Sequence, residues 1–181
     1  MIASLATLHA DTVTSFGAPS FEYKVLAPIL IVLVAAVISV LVEAVAPREV
    51  RWIVQVILTI GALAAAFIMV VALAGTRTTA AVGAVVIDGP ALVIQGTLLA
   101  MAIVAMLTFA ERQIDHGLDA FAPAASALPG SADERTLTKM GALQTEVYPL
   151  ALFSITGMLL FPASNDLLTM FVALEVLSLP L

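Results

Sequence analysis

Cysteine is absent from all 181 residues, so this chain contributes no disulfide, no iron–sulfur ligation and no thiolate metal site. Charge is scarce: Asp, Glu, Lys and Arg make up 11% of the chain, against about a quarter in soluble domains. Seven basic residues against thirteen acidic ones give a net charge of −6, the wrong sign for a nucleic-acid surface. Histidine is limited to His9 and His116. Both sit in polar segments without a second ligand at metal spacing, and read as solvated loop residues. The first twenty residues lack a basic n-region and an apolar h-region, and carry His9 and Asp11 early. Residues 1–22 therefore read as an extramembrane lead-in on the outer side, not a signal peptide.

What the chain has is apolar sequence: 62% of its residues are hydrophobic. That composition specifies an all-α polytopic membrane protein, because in lipid each span must satisfy its own backbone hydrogen bonds. Charge-free runs at 25–42, 53–74 and 89–110 each hold at least 18 residues, enough to cross as a helix. With their interfacial ends they give spans at 23–45, 50–74 and 89–110. A fourth span, 147–164, contains Pro149, Gly157 and Pro162, which membrane helices tolerate. A fifth, 167–181, holds 15 residues of the roughly 20 needed and has no polar stop after it. The expectation is a truncated last helix in part of a longer protein.

Lysine and arginine orient these spans. Arg48 and Arg51 follow span one, and Arg112, Arg135 and Lys139 follow span three; Lys24 and Arg77 lie on the other side. Five against two places the loops after spans one and three in the cytoplasm and the N-terminus outside. Tyr23, Trp52 and Tyr148 stand at span ends, where amphipathic rings favour the interface. Pro47 ends span one. The outer loop 75–88 carries β-branched residues around Gly83, the pattern of a small hairpin. The cytoplasmic loop 111–146 has a low-complexity middle, A-F-A-P-A-A-S-A-L-P-G-S. A capping box at Ser131 and Glu134, then Leu137, Met140 and Gln144 on one face, predict a short amphipathic helix near 132–145.

Glu175 is the chemically informative residue. It lies in L-L-T-M-F-V-A-L-E-V-L-S-L-P-L, the run from Leu167 to Leu181. With Leu167 at the membrane surface, eight residues at ~1.5 Å each put Glu175 about 12 Å deep in a layer roughly 30 Å thick. A carboxylate there costs about 2.5–3.5 kcal/mol on insertion scales, so it is read as a proton or ion site facing the protein interior. The alternative is a structural carboxylate hydrogen-bonded to a neighbouring helix. Ser178 shares its helical face and either serves the carboxylate or a water chain, or bonds back to its own helix. Pro180 breaks the backbone ladder just beyond, which would kink the helix beside the carboxylate. Glu43 reads as an interfacial residue rather than a relay group. Asp88, and Asp166 with Asn165, read as helix caps. Gln55 and Thr59, four apart in span two, suit interhelical hydrogen bonds. The small-residue run 61–66 suits close helix approach or simply an alanine-rich composition.

The run from Glu146 to Leu181 resembles a known family. Its features are the E-V-Y-P-L-A-L-F entry, Gly157-Met158, the A-S-N-D-L turn at 163–167, and Glu175 followed by Ser178-Leu179-Pro180. Together they resemble helices four and five of the antiporter-like subunits of proton-pumping NADH:quinone oxidoreductase, respiratory complex I, nearest the subunit N type. Asp88-Gly89 resembles the family more loosely. The match covers about a fifth of the chain, and the span order agrees over the rest.

The resemblance implies a larger bundle of inverted five-helix repeats, of which this chain would be the first part. It implies that Glu175 pairs with a lysine on a later helix and takes part in proton transfer along a hydrated axis. It also implies membership of a translocase without a redox centre in this chain. NADH, FMN, iron–sulfur clusters and quinone would sit on other subunits, and no cofactor or metal is expected here. The partners implied are neighbouring antiporter-like and small hydrophobic membrane-arm subunits and the lipid bilayer, in a bacterial inner membrane. Two readings compete: a subunit of a multisubunit sodium/proton antiporter, and a structural scaffold of the membrane arm.

Overall fold

Five helices follow one another among the described residues. They are α1 (Tyr23–Val45), α2 (Arg48–Ala72), α3 (Gly89–Ala110), α4 (Val147–Leu160) and α5 (Leu167–Ser178). The computed structural model describes residues 22–110 and 145–178. The amphipathic helix expected near 132–145 and Pro180 lie outside these residues.

Three of the helices, α1, α2 and α3, are long and apolar enough to cross a membrane. At ~1.5 Å per residue, the 23 residues of α1 reach about 34 Å. α4 and α5 are shorter apolar helices; the turn after α4 carries its apolar stretch to Ala163.

Sequence dictates where the long helices stop. α1 ends before Ala46-Pro47, where Ala46 is extended and Pro47, which cannot donate to the ladder, becomes the N-cap of α2. α2 begins at Arg48, before the apolar run itself starts, because a helix can form at the polar boundary where water still serves its first N–H groups. Asp88 caps α3: its Oδ1 accepts the Ala91 N–H at 2.9 Å, and Pro90 occupies the first turn, where no N–H is required.

Between α2 and α3 the chain forms an antiparallel hairpin, β1 (Thr78–Ala80) with β2 (Val85–Ile87). Thr78 pairs with Ile87, Thr79 with Val86 and Ala80 with Val85. The turn runs through Ala81, Val82 and Gly83 at φ 52°, 59° and 88°. Glycine takes that region freely, whereas a β-branched valine does so only under constraint. The constraint comes from the α4–α5 connection. Val85 bridges Ser164, the Asn165 N–H donates to the Ala84 carbonyl at 2.9 Å, and the Asn165 amide donates to the Gly83 carbonyl at 2.8 Å. Asn165 thus fastens the hairpin, and capping of α5 falls to Asp166 alone.

α1 packs between α2 and α4, α2 also packs on α3, and α5 lies against α4. The buried stripe of α1 is Val25, Pro28, Ile29, Val32, Ala35, Ala36 and Ser39, the three-four spacing of a single helical face. Leu63, Leu99, Leu152 and Leu159 complete the core from α2, α3 and α4. Side chains on the outward faces of the long helices, among them Leu41, Ile57, Ile68, Met101 and Val104, are apolar and exposed, as a lipid-facing surface requires.

Candidate functional site

α5 carries one ionisable residue, Glu175. The helix starts where Asp166 accepts the Thr169 N–H at 2.7 Å and its hydroxyl at 2.9 Å. These two donors hold the Asp166 carboxyl below its ordinary value of 3.8. Ala173 is fully buried against α4, while Leu174 and Glu175 are exposed. The face bearing Leu168, Phe171, Val172, Glu175 and Ser178 is turned away from α4. Among the described residues no donor reaches the Glu175 carboxylate. The Ser178 hydroxyl lies 3.4 Å from the backbone carbonyl of Glu175, a contact within its own helix turn.

The opposite face of α5 meets α4 at Gly157. A Cβ on that glycine would stand 2.5 Å from the Leu177 nitrogen, 2.8 Å from the Leu177 Cα and 2.8 Å from the Ala173 carbonyl oxygen. One turn earlier on α4, the Ser154 hydroxyl donates to the Leu177 carbonyl at 3.0 Å. Small residues let membrane helices approach backbone to backbone. Here they fix α5 against α4 two residues to either side of Glu175.

A second polar cluster closes the other end of α1. The Arg51 guanidinium donates to Glu43 Oε1 at 2.9 Å and to the Ala46 carbonyl at 2.8 and 3.2 Å. The Gln55 amide donates to Glu43 Oε2 at 3.1 Å and to the Ser39 carbonyl at 2.9 Å, and accepts the Ser39 hydroxyl. The Thr145 hydroxyl adds a donor to Glu43 Oε1 at 2.8 Å. Glu43, read from sequence as an interfacial residue, is the centre of this network, with its side chain 17% exposed. A signal for it exists in the sequence: Glu43 and Arg51 are equidistant from Pro47, and so are Ser39 and Gln55. An antiparallel helix pair brings together residues at equal distances from its turn.

Thr59 and Gln95 are fully buried. The Gln95 amide donates to the Leu159 carbonyl at 2.8 Å, near the end of the α4 ladder. The Gln95 amide oxygen and the Thr59 hydroxyl have no partner among the described residues. Among the described residues, Thr59 therefore makes no interhelical bond of the kind Gln55 makes. No group of three or more His, Asp or Glu side chains that could hold a metal stands among the described residues.

No family model matches the chain. Individual relatives do. Over 92% of its length it is 51% identical to NADH-quinone oxidoreductase subunit N 3 of Streptomyces griseus, of which the match covers 32%. It is 52% identical over 91% of its length to NADH-quinone oxidoreductase subunit N of Rhodococcus opacus, covering 34% of that protein. The figures for subunit N of Mycobacterium tuberculosis are 48%, 91% and 34%. The chain thus spans about a third of the length of the curated relatives it matches. At this identity over nine-tenths of its residues, the chain matches the NADH-quinone oxidoreductase subunit N family over about a third of that subunit's length.

Proposed function

We propose that the chain supplies the first helices of a proton-translocating membrane subunit of NADH:quinone oxidoreductase, with Glu175 as its proton-carrying group. The observation that carries this reading is the setting of Glu175: a single carboxylate in an apolar helix, on the face turned away from α4. An ionisable group at such depth is expensive unless a partner or water receives it. In this reading the partner is a lysine on a later helix of the full subunit. An opposite charge at close range favours the ionised carboxylate, and its withdrawal favours protonation, so the pair loads and releases a proton as the two groups approach and separate. Ser178, whose hydroxyl contacts the Glu175 backbone carbonyl, and Pro180, which has no N–H to donate, are the supporting residues of this reading.

The subunit would sit in a bacterial inner membrane beside other membrane-arm subunits. NADH, FMN, iron–sulfur clusters and quinone would be bound elsewhere in the complex. The basic-residue asymmetry supports an orientation with the Pro47 turn and the segment before α4 in the cytoplasm, and the hairpin outside. The subunit N relatives favour this reading over a sodium/proton antiporter subunit.

The test is Glu175→Gln in the full-length subunit within the assembled complex. NADH oxidation coupled to proton uptake by inverted vesicles should lose most of its proton component while the complex still assembles. Unaltered proton-to-electron stoichiometry would refute the role. Loss of assembly instead would favour the scaffold reading.

A further inference from the structure

We infer that Gly157 and Ser154 are positioning residues for Glu175, setting how far its carboxylate projects from α4 toward the group that faces it. The inference rests on the reading of Glu175 as the proton-carrying group.

The geometry is specific. Successive residues on an α-helix are turned by about 100°, so Ala173 and Leu177, each two residues from Glu175, lie nearly opposite it. Those are the residues whose backbone meets Gly157. The contact involves an amide nitrogen, a Cα and a carbonyl oxygen, none of which can rotate away as a side-chain tip can. Ser154 adds a hydrogen bond to the Leu177 carbonyl at 3.0 Å, which opposes rotation and sliding of α5. α4 therefore holds α5 by its back, and Glu175 points directly outward from the grip. Any retreat of α5 from α4 becomes, almost undiminished, an advance of Glu175.

The amount of retreat can be judged. Ordinary heavy-atom contacts lie at about 3.5–4.0 Å. A Cβ placed 2.5 Å from the Leu177 nitrogen would push α5 outward by about 1 Å. A misplacement of that size is enough to change rates by up to about a hundredfold in a reaction that depends on alignment. The surroundings of Glu175 on the packed side are electrically quiet. Tyr148 is the titratable residue of α4, and α5 itself holds none besides Glu175. What remains to act on Glu175 lies beyond α5, at a distance that Gly157 and Ser154 set.

The experiment uses the full-length subunit in the assembled, membrane-bound complex. The rate at which a hydrophobic carbodiimide modifies Glu175, read by peptide mass, is followed against pH, since only the protonated carboxyl reacts. Proton uptake per NADH oxidised is measured alongside. Gly157→Ala should move the labelling midpoint by about one pH unit, a tenfold change in proton affinity, and lower pumping by about tenfold, with electron transfer to an artificial acceptor retained. Ser154→Ala removes the hydrogen bond without adding bulk, and should move the midpoint in the same direction by a smaller amount. If Gly157→Ala does not assemble, Ser154→Ala decides. An unmoved midpoint in the assembled variant, together with normal pumping, overturns the positioning role. Normal pumping in Glu175→Gln instead overturns the proton-carrying reading itself, so the two failures are told apart.

Discussion

At Glu43 one carboxylate gathers donors from Arg51, Gln55 and Thr145, so α1, α2 and the start of α4 are joined at a single group. Gln55 is fully buried and spends both ends of its amide on α1. Interhelical hydrogen bonds in membranes contribute about 0.6–2 kcal/mol each, and a buried polar group left without a partner costs about 1–3 kcal/mol. Gln55→Leu should therefore destabilise the helix bundle by about 1–3 kcal/mol, read as a lowered midpoint of unfolding in mixed detergent. An unchanged midpoint would mean that water replaces the amide at no cost. Asp166 offers a test by pH. Its two bonds from Thr169 lower its pKa in the folded state, so its stabilising contribution is present above the unfolded value near 3.8 and disappears as pH falls through the folded pKa. Asp166→Asn should be less stable than the parent at pH 7, with the gap closing as the pH drops below 3.8. A gap of constant size would show that the carboxylate charge is irrelevant to the cap. Asp166 was legible as a cap from its place before an apolar run. The partner of Asn165 was not, because its acceptor lies 82 residues earlier in the chain and no local pattern encodes that distance.

The hairpin between α2 and α3 is the element in which local preference and final structure conflict. The β-branched flanks of Gly83 favour paired strands, and the pairing of Ala80 with Val85 buries both. The turn nevertheless puts Val82 at φ 59° with its side chain 80% exposed. That conformation costs an L-residue about 1–2 kcal/mol and returns no burial here. Val82→Gly removes the strain but adds about 0.5–1 kcal/mol of unfolded-state entropy. The net expectation is a protein equally stable or up to about 1 kcal/mol more stable, seen as an unchanged or higher thermal midpoint. A lower midpoint would show that Val82 makes a contact its exposure does not reveal. The long helices contain less conflict, although α1 carries Pro28 in its interior. Each holds a charge-free apolar run of at least 18 residues, which is why α1 to α3 could be read from the sequence alone. The start of α2 at Arg48 could not, because a charged residue at a helix end is equally at home in the preceding turn. The close crossing of α4 and α5 was also illegible: Gly157 is one small residue among many, and only its three backbone neighbours separate it from the rest.

For the molecule as a whole, the arrangement of helix ends makes the strongest claim. Glu43 at the end of α1 meets Arg51 near the start of α2 and Thr145 before α4, so these three ends share one side. The hairpin joins the end of α2 to the start of α3, and it is tied to the α4–α5 connection through Asn165, so these lie together on the other side. The apolar outward faces of α1, α2 and α3 belong between the two sides, in lipid. The absence of cysteine turns this into a direct measurement, since a single introduced thiol has no background within the chain. Thr79, on β1, and Glu146, just before α4, are both exposed. Thr79→Cys should react with a membrane-impermeant maleimide in right-side-out vesicles and be protected in inverted ones, and Glu146→Cys should show the reverse. The sign of that result follows from five basic residues on the Glu146 side against two on the Thr79 side, a bias that keeps short loops in the cytoplasm. A swapped pattern would reverse the orientation while keeping the fold. Labelling of both residues from one side would contradict the crossing itself, because no arrangement of α3 as a membrane span leaves its two ends in the same compartment.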